Sequence, residues 1–449
     1  MGQNNALARK FNAASLLRFA LPNIAMMMLL SMYTIVDGMF ISRLVGTTAL
    51  SAINMSFPLN CLQMAIGIML GTGGSAIIAR RQGEGRTDEA RRNFTMLIAV
   101  ALGIGLIFAV FGNLFLNPIL RLLGTSELQW ADCRIYTRIQ LVFAPMLFLQ
   151  TAFQTLFVTA GKPGLGLLTS VGGGITNVVL DWLFMGPMNM GVAGAAIATL
   201  GSRVISAVVV FAFLHNPSQE IAVRDYLHIR PDGRRIMRIL SLGIPNGIEN
   251  AMFQFGKLAI QSTVSTLGTI AIAAQAMTNI LENLNGIAAI GIGIGMMTVV
   301  GQCLGAGRKD EAIYYIKKLT AVAEIVIIAS CALVFLATKP VTILGGMEPE
   351  SAKMCLYMVG WITVVKPIVW TLAFIPAYGM RAAGDVRFSM ILSCISMWAF
   401  RVTLCIYLCR VHGFGPIAVW IGMFTDWTIR GIVFTFRFMG RRWLAHKVV

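Results

Sequence analysis

The chain is 449 residues long, 57% hydrophobic and only 12% charged, with a mean hydropathy of +0.76, whereas a soluble globular chain carries about 25% charged residues. So few charges cannot solvate a surface of this size, which excludes an ordinary soluble domain and places the protein in a lipid bilayer. The formal net charge of +17 reads as Lys and Arg gathered on one side of that bilayer, not as a nucleic-acid footprint, because no basic stretch is interleaved with stacking aromatics.

The opening "MGQNNALARKF" lacks the short apolar core of a signal peptide. It also fails the myristoylation pattern, since Ala6 stands where Ser or Thr is required. A membrane-crossing helix needs ~20 mostly apolar residues. Such runs follow at 15–42, 50–79, 93–116, 134–159, 165–186 and 191–214. The stretch "TAGKPG" at 159–164 reads as a short turn in which Pro163 stops a helix. A polar interval, "HNPSQEIAVRDYLHIRPDGRRIM" at 215–237, divides the chain nearly in half. Six more runs lie beyond it, at 238–265, 271–301, 312–337, 354–380, 388–409 and 415–438. The expected fold is therefore an all-α integral membrane protein of twelve transmembrane helices. Its lobes are 1–214 and 238–449, and the linker is 215–237. Several runs are longer than a crossing needs, so tilt or bending is expected.

The halves repeat. "GEGRTDEA" at 83–90 matches "GAGRKDEA" at 305–312, an offset of 222 residues. At the same offset "VGTTALSAIN" faces "LGTIAIAAQA", and one residue further out "LPN" at 21–23 faces "IPN" at 244–246. Six crossings separate the two copies. Both loops then lie on one side, and the halves are parallel repeats about an axis along the membrane normal, a pattern of transporters that rock around a central cavity. Basic residues concentrate on the side of these loops (Arg80, Arg81, Arg86, Arg91, Arg92, Arg308, Lys309 and, counted as a loop residue, Arg381). The positive-inside rule puts both termini in the cytoplasm.

Eight cysteines are scattered without a CxxC and read as small apolar residues. The four histidines fall in loops or the tail, and no P-loop occurs, so neither enzyme chemistry nor direct ATP drive is expected.

Acidic residues inside the spans are few: Asp37, Asp181, Glu249, Glu282, Glu324 and Asp426. Each costs ~2.5–3.5 kcal/mol at the bilayer centre, so each faces a cavity or a partner and is a functional candidate. Asn177 lies one turn before Asp181, and the next helix offers Thr199. Two carboxylates, an amide and a hydroxyl suit a proton or a hard monovalent cation such as Na⁺, because two close carboxylates in low dielectric cannot both stay charged cheaply. The repeat places Ile260 and Leu404 opposite Asp37 and Asp181, so the set is not duplicated. The second half has its own polar face, Glu249, Lys257 and Gln261, with Glu282 on the next run. Glu249 and Lys257 are expected to offset each other in part through intervening groups. Asp426 and Arg430 have the ordinary helix-pair spacing and, with Trp398 and Arg401, read as contacts that hold helices together.

These pieces carry a resemblance over essentially the whole chain. "FALPNIAMMMLLSMYTIVDGMFISRLVGTTALSAINMSFP", "GTGGSAIIARRQGEGRTDEA", "TAGKPGLGLLTSVGGGITNVVLD", "LGIPNGIENAMFQFGKLAIQ" and "GQCLGAGRKDEA" are together similar to the prokaryotic MATE (multidrug and toxic compound extrusion) family. The resemblance implies a V of two six-helix lobes that exports organic cations in exchange for H⁺ or Na⁺. It implies cation coupling at Asp37, Asn177, Asp181 and Thr199 and carries Glu249 and Glu282 over less securely. The residues themselves lead to an expected hinge at Pro22, where a backbone hydrogen bond is missing, and to Tyr33, Lys257 and Gln261 beside Glu249 and Glu282 in the substrate cavity. No cofactor beyond the coupling ion is implied. The expected setting is a monomer in the cytoplasmic (inner) membrane of a bacterium or archaeon. The rival within the same superfamily is a flippase of lipid-linked precursors; a passive channel or receptor fits the paired lobes poorly.

Overall fold

The computed structural model describes residues 13–46, 53, 56–123, 125, 127–159, 162–214 and 230–446. The first half contains α1 (Ala13–Phe40), continued by a π-turn (Ile41–Val45), then α2 (Phe57–Gly83), α3 (Thr87–Leu114), the short α4 (Leu116–Leu122), α5 (Glu127–Val142), α6 (Ala144–Thr159), α7 (Pro163–Met185) and α8 (Gly191–Leu214). The second contains α9 (Gly233–Val264), α10 (Thr269–Gly305), α11 (Lys309–Leu344), α12 (Pro349–Ala382), α13 (Val386–Ile395), a π-turn (Ser396–Val402), α14 (Thr403–Arg410) and α15 (Ile417–Met439). No strand occurs among the described residues. Each of the twelve expected crossings is met by helix.

The differences from the expected spans have local causes. The crossing expected at 134–159 is split into α5 and α6 because Pro145 cannot donate a hydrogen bond to the preceding turn. The crossing expected at 388–409 carries a π-turn in its middle. Pro163 opens α7 at its first position, where a missing N–H costs nothing. The start of α9 lies at Gly233, five residues before the apolar run, because Asp232 accepts a hydrogen bond from the Arg234 amide at 3.0 Å and an ion pair from Arg235 at 3.0 Å. The Asp232 carboxyl sits below the usual carboxylate range; partial desolvation works against this, and the amides of Arg234 and Arg235 with the Arg235 guanidinium outweigh it.

The sequence repeat is a structural repeat. Gly85 and Gly307 turn the chain with φ of +74° and +76°, values that glycine adopts without strain. In both copies the acids of "DEA" sit in the first helical turn, Asp88 and Glu89 in α3 and Asp310 and Glu311 in α11, where the helix dipole favours negative charge. Arg308 pairs with Glu311 at 2.8 Å, and Arg86 approaches Glu89 at 3.7 Å.

The chain forms two compact units. One holds residues 25–247; the other holds residues 248–446 together with 13–24. Both divisions fall two residues past a proline inside a helix, Pro22 in α1 and Pro245 in α9. In the first unit α2 crosses the start of α9 at paired glycines: a Cβ on Gly73 would strike the Ile239 carbonyl, and one on Gly243 would strike the Met69 carbonyl. Close approach of this kind is how membrane helices gain packing energy. Gly243→Leu is expected to cost ~1–3 kcal/mol or more, read as a lowered unfolding midpoint of the detergent-solubilised protein. An unchanged midpoint would mean that the crossing relaxes freely.

Candidate functional site

In the first unit α7 carries Asn177 and Asp181 one turn apart, 2% and 0% exposed. Both polar atoms of the Asn177 amide are buried without a hydrogen-bond partner among the described residues. The Thr199 hydroxyl on α8 donates to the Ala195 carbonyl at 3.0 Å, which leaves its oxygen free to accept. α7 packs along α8, and both reach the π-turn that follows α1.

The side chain of Asp37 lies outside the described residues, but its backbone is in the last turn of α1. Its height follows from its neighbours. Tyr33, half-buried, stands against Gly174 of α7, 3.7 Å from where a Cβ would be. Further along, Phe40 and Val45 pack on one apolar cluster with Met185 at the end of α7. Asp37 falls between these contacts on α1 as Asn177 and Asp181 fall between them on α7. The backbone of Asp37 is thus level with the Asn177–Asp181 turn.

The second unit has a different character, because three of its intramembrane acids, Glu249, Glu282 and Asp426, are held by bases. Glu249 pairs with Arg381 at 2.7 Å. Arg381 therefore belongs to the last turn of α12 and to this pair, not to a loop. The expected offsetting of Glu249 by Lys257 is replaced by this contact: Glu249 is buried, whereas Lys257 and Gln261 are exposed. Glu282 pairs with Lys366 at 2.6 Å, and the fully buried Lys366 ammonium also donates to the Glu282 carbonyl at 3.1 Å and stands 4.9 Å from the Trp370 ring centre. Asp426 receives Arg401 at 2.8 Å, Arg430 at 2.9 Å and the Ser396 hydroxyl. Asp426 with Arg430 is the pair its spacing indicated; Arg401 joins it from the π-turn, and Trp398 stays on the outside. Lys366 and the role of Arg381 were not foreseen. The signal for Lys366 was a lone lysine in the apolar run "MVGWITVVKPIVW".

A helical bundle built as two repeats, with buried acids in both, is an architecture found among membrane transporters. The MatE family model matches residues 22–183 and 245–407, one match per repeat, and the chain belongs to that family. It is 24% identical over 412 residues to the probable multidrug resistance protein YoeA of Bacillus subtilis, covering 90% of this chain and 88% of YoeA. It is 23% identical to the probable multidrug resistance protein NorM of Thermotoga maritima, covering 97% and 94%. An outward-facing multidrug resistance MATE family transporter of the MOP superfamily superposes with a TM-score of 0.89 at 20% identity over 98% of both chains, a likeness of fold.

Proposed function

We propose that the chain is a secondary active exporter that expels cationic, amphipathic organic compounds in exchange for H⁺ or Na⁺. In this reading it is a monomer in the cytoplasmic membrane with both termini inside, its lobes 1–214 and 238–449 joined by segment 215–237. The observation that carries it is the common level of Asp37, Asn177 and Asp181 within the first unit. Carboxylates at that depth are costly and mark ion or substrate paths. An ion entering from outside discharges the pair; the loss of negative charge weakens the hold on a cationic passenger, which leaves outward. Helix α1 supplies a bend at Pro22, which cannot bond the Arg18 carbonyl. Thr199 adds a hydroxyl oxygen for the ion. Tyr33 in the first unit, and separately Lys257 and Gln261 in the second, are each proposed to meet the passenger, and Glu249 and Glu282 would do so with Arg381 and Lys366 attached. The names of the relatives agree with drug export.

The test is ethidium transport in proteoliposomes with pH and sodium gradients imposed separately. The parent protein is expected to respond to one gradient and Asp37→Asn to neither. Parent-rate transport by Asp37→Asn would remove the charge-competition scheme.

One observation favours the second reading, a lipid-linked precursor flippase. Among the described residues, the ion pairs inside the second unit's spans join four cations, Lys366, Arg381, Arg401 and Arg430, to three acids, Glu249, Glu282 and Asp426, with Glu324 standing apart from them. Movement of a labelled polyprenyl pyrophosphate, with no movement of ethidium, would establish that reading instead.

A further inference from the structure

The second unit contains a groove of about 440 Å³ between α11, α12 and α15. Sites for drug-sized ligands span ~300–1,000 Å³. Its walls are apolar, with Ile316, Ile368 and Phe438 among them. Its polar lining is almost all oxygen. Glu324 stands six residues past Lys318 on α11, ~9 Å along the helix at 1.5 Å per residue, inside the apolar part of that helix. It makes no ion pair among the described residues, although Lys317 lines the same groove two turns away. The Thr320 hydroxyl, one turn before Glu324, and the Thr371 hydroxyl on α12 line the groove too, and both are buried without a hydrogen-bond partner among the described residues. Pro376, inside α12, has no N–H to give the Leu372 carbonyl, so one more acceptor is released at the groove wall.

The fold does not require this set. At the repeat offset, Leu102 and Ile98 of α3 occupy the places of Glu324 and Thr320. An unpaired carboxylate and orphan hydroxyls inside a bilayer cost free energy unless a ligand answers them. The carboxylate and the released carbonyl call for a partner that brings N–H groups and positive charge, the two hydroxyls can accept from it as well as donate, and the hydrocarbon walls call for an apolar body.

We propose that this groove binds a lipophilic primary or secondary ammonium compound drawn from the bilayer. Its N–H groups meet the Glu324 carboxylate and the neighbouring hydroxyl and carbonyl oxygens, and its hydrocarbon part lies along Ile316, Ile368 and Phe438. The inference deepens the exporter reading by giving its cationic passengers a place on the second unit, but the binding event does not depend on ion coupling.

The test uses the full chain in lipid nanodiscs with two labelled probes: propranolol, a secondary amine, and tetraphenylphosphonium, a cation without N–H groups. Saturable propranolol binding above empty nanodiscs is expected, weakened at least tenfold by Glu324→Gln and about threefold by Thr371→Val. Tetraphenylphosphonium binding should be unmoved by Thr371→Val. As a check that needs no variant, dicyclohexylcarbodiimide should modify Glu324 in the parent protein, and propranolol should protect it. Equal propranolol binding by Glu324→Gln, or labelling that propranolol does not slow, overturns the inference and means that acyl chains alone fill the groove. Asp37→Asn separates the two proposals. It should retain propranolol binding while losing export; if it keeps export, the exporter scheme fails and the groove assignment stands on its own data.

Discussion

Asp181→Asn is expected to lower gradient-driven ethidium transport at least tenfold while leaving the protein folded. The side chain is fully buried on α7, one turn beyond the equally buried Asn177. Asparagine keeps its volume, so packing around the position survives, and it removes the property that the proposed exchange needs, a charge that can be gained and lost. Asparagine also keeps hydrogen-bonding capacity at the position, so the unfolding midpoint should stay close to that of the parent. That combination, a dead transporter of undiminished stability, distinguishes a coupling acid from a structural one. Asp181→Glu should retain part of the activity, since the charge survives at a displaced position. A stable Asp181→Asn protein with parent transport would remove Asp181 from the coupling set, and a destabilised one would assign it a structural task.

The sequence made the bilayer, the twelve crossings and the repeat legible because each is written in long-range pattern: apolar runs near the length of a crossing, and "GRxDEA" recurring at one offset. The first-unit acids were legible because a carboxylate in an apolar run is costly and therefore conspicuous. What escaped was pairing across helices. Glu249 and Lys257, eight residues apart on one helix, are too far for a direct pair and offer at most partial offsetting; α12 brings Arg381 to Glu249, and packing between helices is not written in local spacing. Lys366 escaped because its aliphatic stem is at home in an apolar run; only its ammonium, beside Glu282 and Trp370, needs the fold to explain it. The break at Pro145 was readable in principle, since proline cannot complete the helix. The π-turn at Ser396–Val402 was not, because "SMWAFRV" carries no residue that forbids an ordinary helix.

That π-turn matters most to the Asp426 cluster. A π-turn inserts one extra residue and swings the side chains that follow it around the helix axis. Here Arg401, 4% exposed, meets Asp426 from one side while Arg430 meets it from the next turn of α15. Arg430 is held further by the Ser393 hydroxyl at 3.2 Å and lies over the Phe253 and Phe374 rings, at 4.8 and 5.0 Å from their centres. One carboxylate thus separates two guanidiniums that would otherwise repel. Asp426→Asn is expected to destabilise the protein by ~3–5 kcal/mol, the usual cost of leaving a buried charge without its counter-charge. The loss should exceed that from either arginine alone, since removing Arg401 or Arg430 leaves Asp426 still paired once. The combined variant Arg401→Met, Asp426→Leu, Arg430→Met removes every charge together and should recover most or all of the stability, because a well-packed apolar set is often as good as a buried ion cluster or better by ~1–4 kcal/mol. Unfolding midpoints in detergent decide the matter. If Asp426→Asn is as stable as the parent, the two guanidiniums have another anion to share. If the single variant collapses and the combined one recovers, the cluster is a packing device.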